Sequence, residues 1–152
     1  MAAEIQLDEI TRILTGTVVR SVGRAADMGV VEFDGLQGET VMIHMQCPFR
    51  IVRNGRILVG SRDMRYAQKG AGPQAFDEFR MIYDAQTTTL NGALGQLRPS
   101  VDGVTVGEAG ELTVSWEQCF RLEVFPDCSG KIEAWRAFVR GGAHHGFPPE
   151  TI

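Results

Sequence analysis

No stretch of the chain approaches the roughly 18 consecutive apolar residues that a membrane helix needs. The first residues, Met1-Ala2-Ala3-Glu4-Ile5-Gln6, show no basic region followed by an apolar core, the pattern of a secretion signal. Both absences point to a cytoplasmic protein with no membrane partner. Cysteine is scarce: three residues, an odd number with no CxxC pair, build neither a disulfide framework nor a zinc knuckle. Cys47 and Cys119 read as small apolar fillers at strand ends. Cys128, in a turn, reads as the thiol most open to oxidation.

Catalytic signatures are missing too. Gly70-Ala71-Gly72-Pro73 lacks the third glycine and the strand–loop–helix setting of a dinucleotide fingerprint. There is no GxSxG elbow, HExxH pair or calcium loop, so no cofactor and no metal is expected. His144-His145 are adjacent residues in a segment without periodicity, and such a pair defines no metal geometry.

What is present suits an ordinary globular domain: 152 residues, 43% hydrophobic and 22% charged, long enough to bury a core without staples. The net charge of −4 conceals a split. Residues 50–69 carry Arg50, Arg53, Arg56, Arg62, Arg65 and Lys69 against Asp63 alone, a local charge of +5. An acidic chain with one basic segment argues against nucleic-acid binding, which favours a broad positive field. It leaves room for an anionic partner.

A ten-residue segment occurs twice without gaps. Gly38-Glu39-Thr40-Val41-Met42-Ile43-His44-Met45-Gln46-Cys47 matches Gly110-Glu111-Leu112-Thr113-Val114-Ser115-Trp116-Glu117-Gln118-Cys119, with Gly, Glu, Gln and Cys retained. The repeat suggests a duplicated unit, with halves near 4–60 and 74–140, and it matches Arg50 with Arg121 as an architectural pair. Periodicity predicts a helix over 4–13 and a second over 74–91, closed by Asn91-Gly92. Strands are predicted at 17–22, 30–33, 39–46, 49–53, 56–60, 102–106, 111–117, 119–125 and 131–139. Asn54-Gly55 between apolar runs is a strong hairpin signal, since both turn residues must reach positive φ. The expected fold is α+β, with about nine short antiparallel strands, two helices and pseudo-twofold symmetry, forming one twisted sheet or a partial barrel. Residues 1–140 make a single domain and 141–152 a flexible tail.

Five residues stand out as candidate site residues. His44 lies on a strand whose two faces are both partly apolar, which predicts that it points inward. Its readings are a hydrogen-bonded structural histidine or a pocket residue, and acid–base work would need a partner such as Asp34 or Glu39. Arg53, Arg56, Arg62 and Arg65 have two readings as well. They form a solvated surface paired with Asp63, Asp77 and Glu78, or a patch for carboxylates, phosphates or an acidic protein surface. A ligand pocket would then sit between helix 74–91 and the sheet, near His44.

The run Phe120-Arg121-Leu122-Glu123-Val124-Phe125-Pro126-Asp127, a short turn, and Glu133-Ala134-Trp135-Arg136-Ala137-Phe138 resembles the C-terminal pattern of small uncharacterised bacterial proteins. Met45-Gln46-Cys47-Pro48-Phe49-Arg50-Ile51 with its following hairpin is similar too. That group includes candidate immunity proteins for secreted toxins. The resemblance brings no catalytic residues and implies a non-enzymatic protein-binding function, through a protein partner or self-association, with small-anion binding as the alternative.

Overall fold

Alternation of apolar and polar residues sets most of the strands, and the computed structural model describes residues 2–152, with side chains from residue 6 onward. Helix α1 (Ala2–Leu14) leads into β1 (Val18–Ala25), β2 (Met28–Asp34), β3 (Thr40–Met45), β4 (Phe49–Arg53) and β5 (Arg56–Gly60). A 3-10 helix, Ser61–Arg65, and an irregular stretch precede α2 (Ile82–Leu97). The chain continues with β6 (Val101–Val106), β7 (Leu112–Trp116), β8 (Phe120–Val124), β9 (Trp135–Val139) and β10 (His144–Phe147). This is an α+β fold dominated by sheet.

The strands form two antiparallel five-stranded sheets, in the orders β1-β2-β3-β9-β10 and β5-β4-β8-β7-β6. Neither closes into a barrel, and the single twisted sheet expected from sequence is replaced by this pair. Inward residues of both sheets join one core with Ile10, Ile13 and Leu14 of α1 and Tyr83, Leu90 and Leu94 of α2. In α2 the buried positions Tyr83, Thr87, Leu90 and Leu94 follow the i, i+4, i+7, i+11 spacing of one helical face.

The topology has a pseudo-twofold plan. Each half gives a three-stranded meander to one sheet and a two-stranded hairpin to the other. Val19, Phe33 and Val41 lie side by side across β1-β2-β3, as Val101, Trp116 and Phe120 do across β6-β7-β8. Backbone bonds are reciprocal: the Val19 N–H donates to Pro99 O (2.9 Å) and the Val101 N–H to Thr17 O (2.8 Å), around a Val18–Ser100 bridge. Likewise Gln46 N–H donates to Ala134 O (2.7 Å) and Phe125 N–H to Pro48 O (2.8 Å). The helices also exchange, α1 packing on β6 and α2 on β1.

These registers pair β3 with β8 and β2 with β7. The ten-residue sequence repeat instead matches β3 with β7, so it runs one strand out of step with the topological symmetry. What the two copies share is a turn. Gly35 N–H bonds Glu39 O and Gly107 N–H bonds Glu111 O, both at 2.8 Å, while Gly38 (φ +85°) and Gly110 (φ +81°) take the left-handed conformation. A Cβ at Gly35 or Gly107 would lie 1.7 or 1.4 Å from the glutamate Oε1, so a side chain there would displace the Glu39 or Glu111 carboxylate. By the same registers Arg50 corresponds to Arg136 rather than to Arg121.

Three local expectations change. Helix α2 begins at Ile82 rather than at 74, because Phe79 takes a φ of +57° and Asp84 Oδ2 accepts the Met81 N–H (3.0 Å) at the helix start. It runs past Asn91-Gly92 because Asn91 is occupied elsewhere: its side chain accepts from Val22 N–H (2.8 Å) and donates to Val22 O (2.9 Å). Residues 141–152, expected to be a flexible tail, supply β10, and Ile152 N–H bonds Gly130 O at 2.8 Å. The second half thus contributes five strands, β6–β10, as the first does.

Candidate functional site

The pseudo-twofold plan breaks at one corner, and the break is the largest cleft described. At one end of the molecule Phe147 lies beside Trp135 in the β9–β10 ladder, and its ring occupies the space next to Gly110. A Cβ on Gly110 would meet that ring at 2.3 Å. Trp135 Nε1 donates to Gly110 O (2.7 Å), which locks the corner. The registers equate Trp135 with Phe49; Ser61 follows β5 as Phe147 ends β10, and Asp27 and Gly110 lie in the β1–β2 and β6–β7 turns beyond the paired residues. Ser61 carries no ring. It accepts the Phe49 N–H at 3.1 Å and leaves the corner open.

The resulting cleft has a volume of about 700 Å³. Phe49, Met64, Pro48 and Cys47 give it apolar surface, and Phe76 and Ile132 flank it. Arg62 and Arg65 come from the 3-10 helix, Asp27 from the β1–β2 turn and Asp127 from the β8–β9 loop. Neither arginine has a carboxylate within 4 Å among the described residues, and both are exposed. Asp63, one expected partner, instead accepts the Gly60 N–H (2.9 Å). Burial, with the Asp127 charge adding to it, pushes the Cys47 thiol up to about 12, so it is a neutral filler and not a nucleophile at ordinary pH.

One wall is held by a clasp. The Arg24 side chain is 1% exposed and pairs with Asp84 through Nε–Oδ1 (2.8 Å) and Nη2–Oδ2 (2.9 Å). It also donates to Phe76 O (2.6 Å) and Ala26 O (2.9 Å), and its guanidinium lies 4.3 Å from the ring centroids of both Phe76 and Phe79. The contacts with Phe76 and Phe79 fix the segment 74–79 against β1, and the pair with Asp84 ties β1 to the start of α2. Burial raises the Tyr83 phenol well above its usual range, and its hydroxyl donates to Gly23 O at 2.6 Å in the same wall.

The candidate arginines thus divide between two places. Arg53 and Arg56 sit at the β4–β5 hairpin tip, where Asn54 (φ +51°) and Gly55 (φ +79°) make the expected turn. Arg53 donates to Gln118 O (3.2 Å), lies 4.4 Å over the Phe120 ring, and with Arg56 borders a groove of about 260 Å³ against α2. His44 joins neither place. Burial alternates along β3, with Val41, Ile43 and Met45 inward, so His44 faces outward on the other sheet, contrary to the sequence expectation. Arg136 Nε donates to its Nδ1 (3.3 Å), and Phe138 packs edge-on at 4.9 Å. Partial burial and the Arg136 charge hold its pKa below the ordinary value. Its topological counterpart is Glu123, which pairs with Arg50 at 2.8 Å, so His44 fills a structural position.

Sequence reasoning missed Arg24, Asp27, Ser61, Phe76 and Asp127. None belongs to a local motif, and only the ladder registers bring them to one corner. Among the described residues no three His, Cys, Asp or Glu side chains gather as a metal ligand set, and no helix is long and apolar enough to cross a membrane. No protein-family model, curated protein or solved structure matches the chain.

Proposed function

We propose that this chain is a non-enzymatic protein-interaction module that engages its partner through the open corner cleft. Toxin neutralisation is the particular form that the sequence resemblance suggests. The observation that carries the reading is the broken symmetry: one corner is closed by its own phenylalanine, while the matching corner is left open and edged with Arg62 and Arg65, which have no carboxylate within 4 Å among the described residues. The surroundings support it. Of the seven large hydrophobic side chains exposed among the described residues, Ile132 lines the cleft, and Tyr66, Phe79 and Phe125 lie close in sequence to its lining residues Arg65, Phe76 and Asp127. Aromatic residues and arginine around a recess are the composition of an interface centre.

A photo-crosslinking amino acid at Ile132 tests this in the native host. Capture of a defined protein from Ile132, but not from the exposed Thr105 on the edge strand β6, is the expected result. Arg62→Glu with Arg65→Glu should abolish it. Equal capture from both positions would refute the assignment.

The alternative, small-anion binding, now rests on Arg53 and Arg56 alone, beside the groove against α2. Thermal stabilisation by phosphate or citrate that disappears in Arg53→Ala with Arg56→Ala would favour it.

A further inference from the structure

We infer that the groove between the β4–β5 hairpin tip and α2 binds a small organic carboxylate, its head on Arg53 and Arg56 and its apolar body against α2. This rests on the anion reading of those arginines given above, lies apart from the corner cleft, and names the class of anion. Arg53 and Arg56 are cross-strand partners on either side of the Asn54-Gly55 turn. Like charges placed directly opposite each other destabilise a sheet. Neither arginine has a carboxylate within 4 Å, and no acidic side chain lines the groove, among the described residues. An anion that bridges the two guanidinium groups answers both charges at once.

Arg53 is already set for that contact. Its Nε donates to Gln118 O (3.2 Å) and its guanidinium lies 4.4 Å from the Phe120 ring centroid, so the plane of the group is held. The rest of the groove is apolar: Phe120 is 2% exposed and Leu90 4%, with Leu58 and Ala93 beside them. Inorganic phosphate leaves that surface unanswered, and a neutral hydrocarbon leaves the arginines so. At about 260 Å³ the groove lies below the roughly 300–1,000 Å³ of sites for drug-sized ligands, which suits a short acid. The fold itself does not call for the charges. Val41 pairs with Val139 as Phe120 pairs with Arg53, so valine holds the ladder position of Arg53 in the other half. Val139 lines a groove against α1 whose arginine, Arg12, is paired with Glu9 at 2.6 Å.

The probes are acetate, butanoate and hexanoate at equal ionic strength, with hexan-1-ol as the uncharged control. Each is titrated at millimolar concentration while backbone amide shifts are followed by NMR. Shifts confined to residues 53–58, residues 86–93 and Phe120 are expected, with affinity rising about fourfold for each methylene that enters the groove. Hexan-1-ol should bind about tenfold more weakly than hexanoate or worse. Arg56→Gln removes one guanidinium and the like-charge opposition together, so it should melt no lower than the parent and lose hexanoate. Equal affinity of acetate and hexanoate, shifts elsewhere, or no shift would overturn the inference, as would hexanoate retained by folded Arg56→Gln. If that variant does not fold, Thr89→Glu, at an exposed position of α2 in the groove, supplies a carboxylate from within and should lose hexanoate. Retained binding there would count equally against the proposal.

The series also separates this inference from the reading beneath it. Stabilisation by phosphate or citrate through the two arginines, with acetate and hexanoate equal, keeps the anion reading and discards the apolar body. Loss of every anion response in the parent protein discards both.

Discussion

The Phe147 corner and the Ser61 corner are built on one plan and held by different forces. At the first, a ring sits against glycine and tryptophan, and packing does the work. At the second, the ring is missing and an arginine clasp to Asp84, between two phenylalanines, holds the wall in place. Arg24 corresponds in register to Val106, so the closed corner has an apolar residue where the open one needs ions. A duplicated architecture can keep its backbone and yet free one end for binding, provided the lost packing is replaced.

The contrast is tested most severely at the clasp. Arg24→Ala leaves Asp84 buried without its partner and should cost about 3–5 kcal/mol, measured by urea denaturation. Phe147→Ala should cost about 2 kcal/mol, below the range for a fully buried phenylalanine because the ring is half-buried. A clasp variant less destabilised than Phe147→Ala would reverse the assignment of ionic and packing corners.

A finer comparison uses the two tryptophans. Both are buried, but Trp135 Nε1 has Gly110 O as acceptor, whereas Trp116 Nε1 is buried with no partner among the described residues. Each Trp→Phe loses similar volume, so Trp135→Phe should be the costlier by about 1 kcal/mol. Equal melting temperatures would remove the locking role given to that bond.

Thiol chemistry gives the smallest effects. Backbone N–H groups of Lys131, Ile132 and Gly130 hold the exposed Cys128 thiol below its ordinary pKa, while Cys47 is raised to about 12. Iodoacetamide at neutral pH should therefore label Cys128 first and Cys47 last, by mass spectrometry. The sign for stability follows for Cys47. Its folded pKa exceeds the unfolded value near 9, so its contribution is complete below pH 9 and lost as pH rises toward 12. Cys47→Ala should flatten that alkaline loss.

Much of the fold was legible in the sequence because local signals agree with tertiary demands. All nine expected strands exist, and Asn54-Gly55 turns as its positive φ values require. Other features were hidden because long-range contacts decide them. The stretch His144-His145-Gly146-Phe147 has no alternation, and it becomes a strand only because β9 offers an edge. Asn91 looks like a helix stop until Val22 claims its amide. The outward aspect of His44 depends on which face of β3 meets the core, and Met42 beside it obscured the pattern. For the site, Arg62 and Arg65 were flagged by charge alone, while the cleft they line depends on a ring being absent, which no local motif records.

The exchange of hairpins between the two sheets also sets an order on assembly during synthesis. Strand β3 takes its second neighbour from residues 135–139, and β4 takes one of its own from residues 120–124. Neither sheet can be finished until strands of the second half have been made. An unpaired strand edge is exposed until they arrive, with the slow, long-range pairing that such connectivity entails.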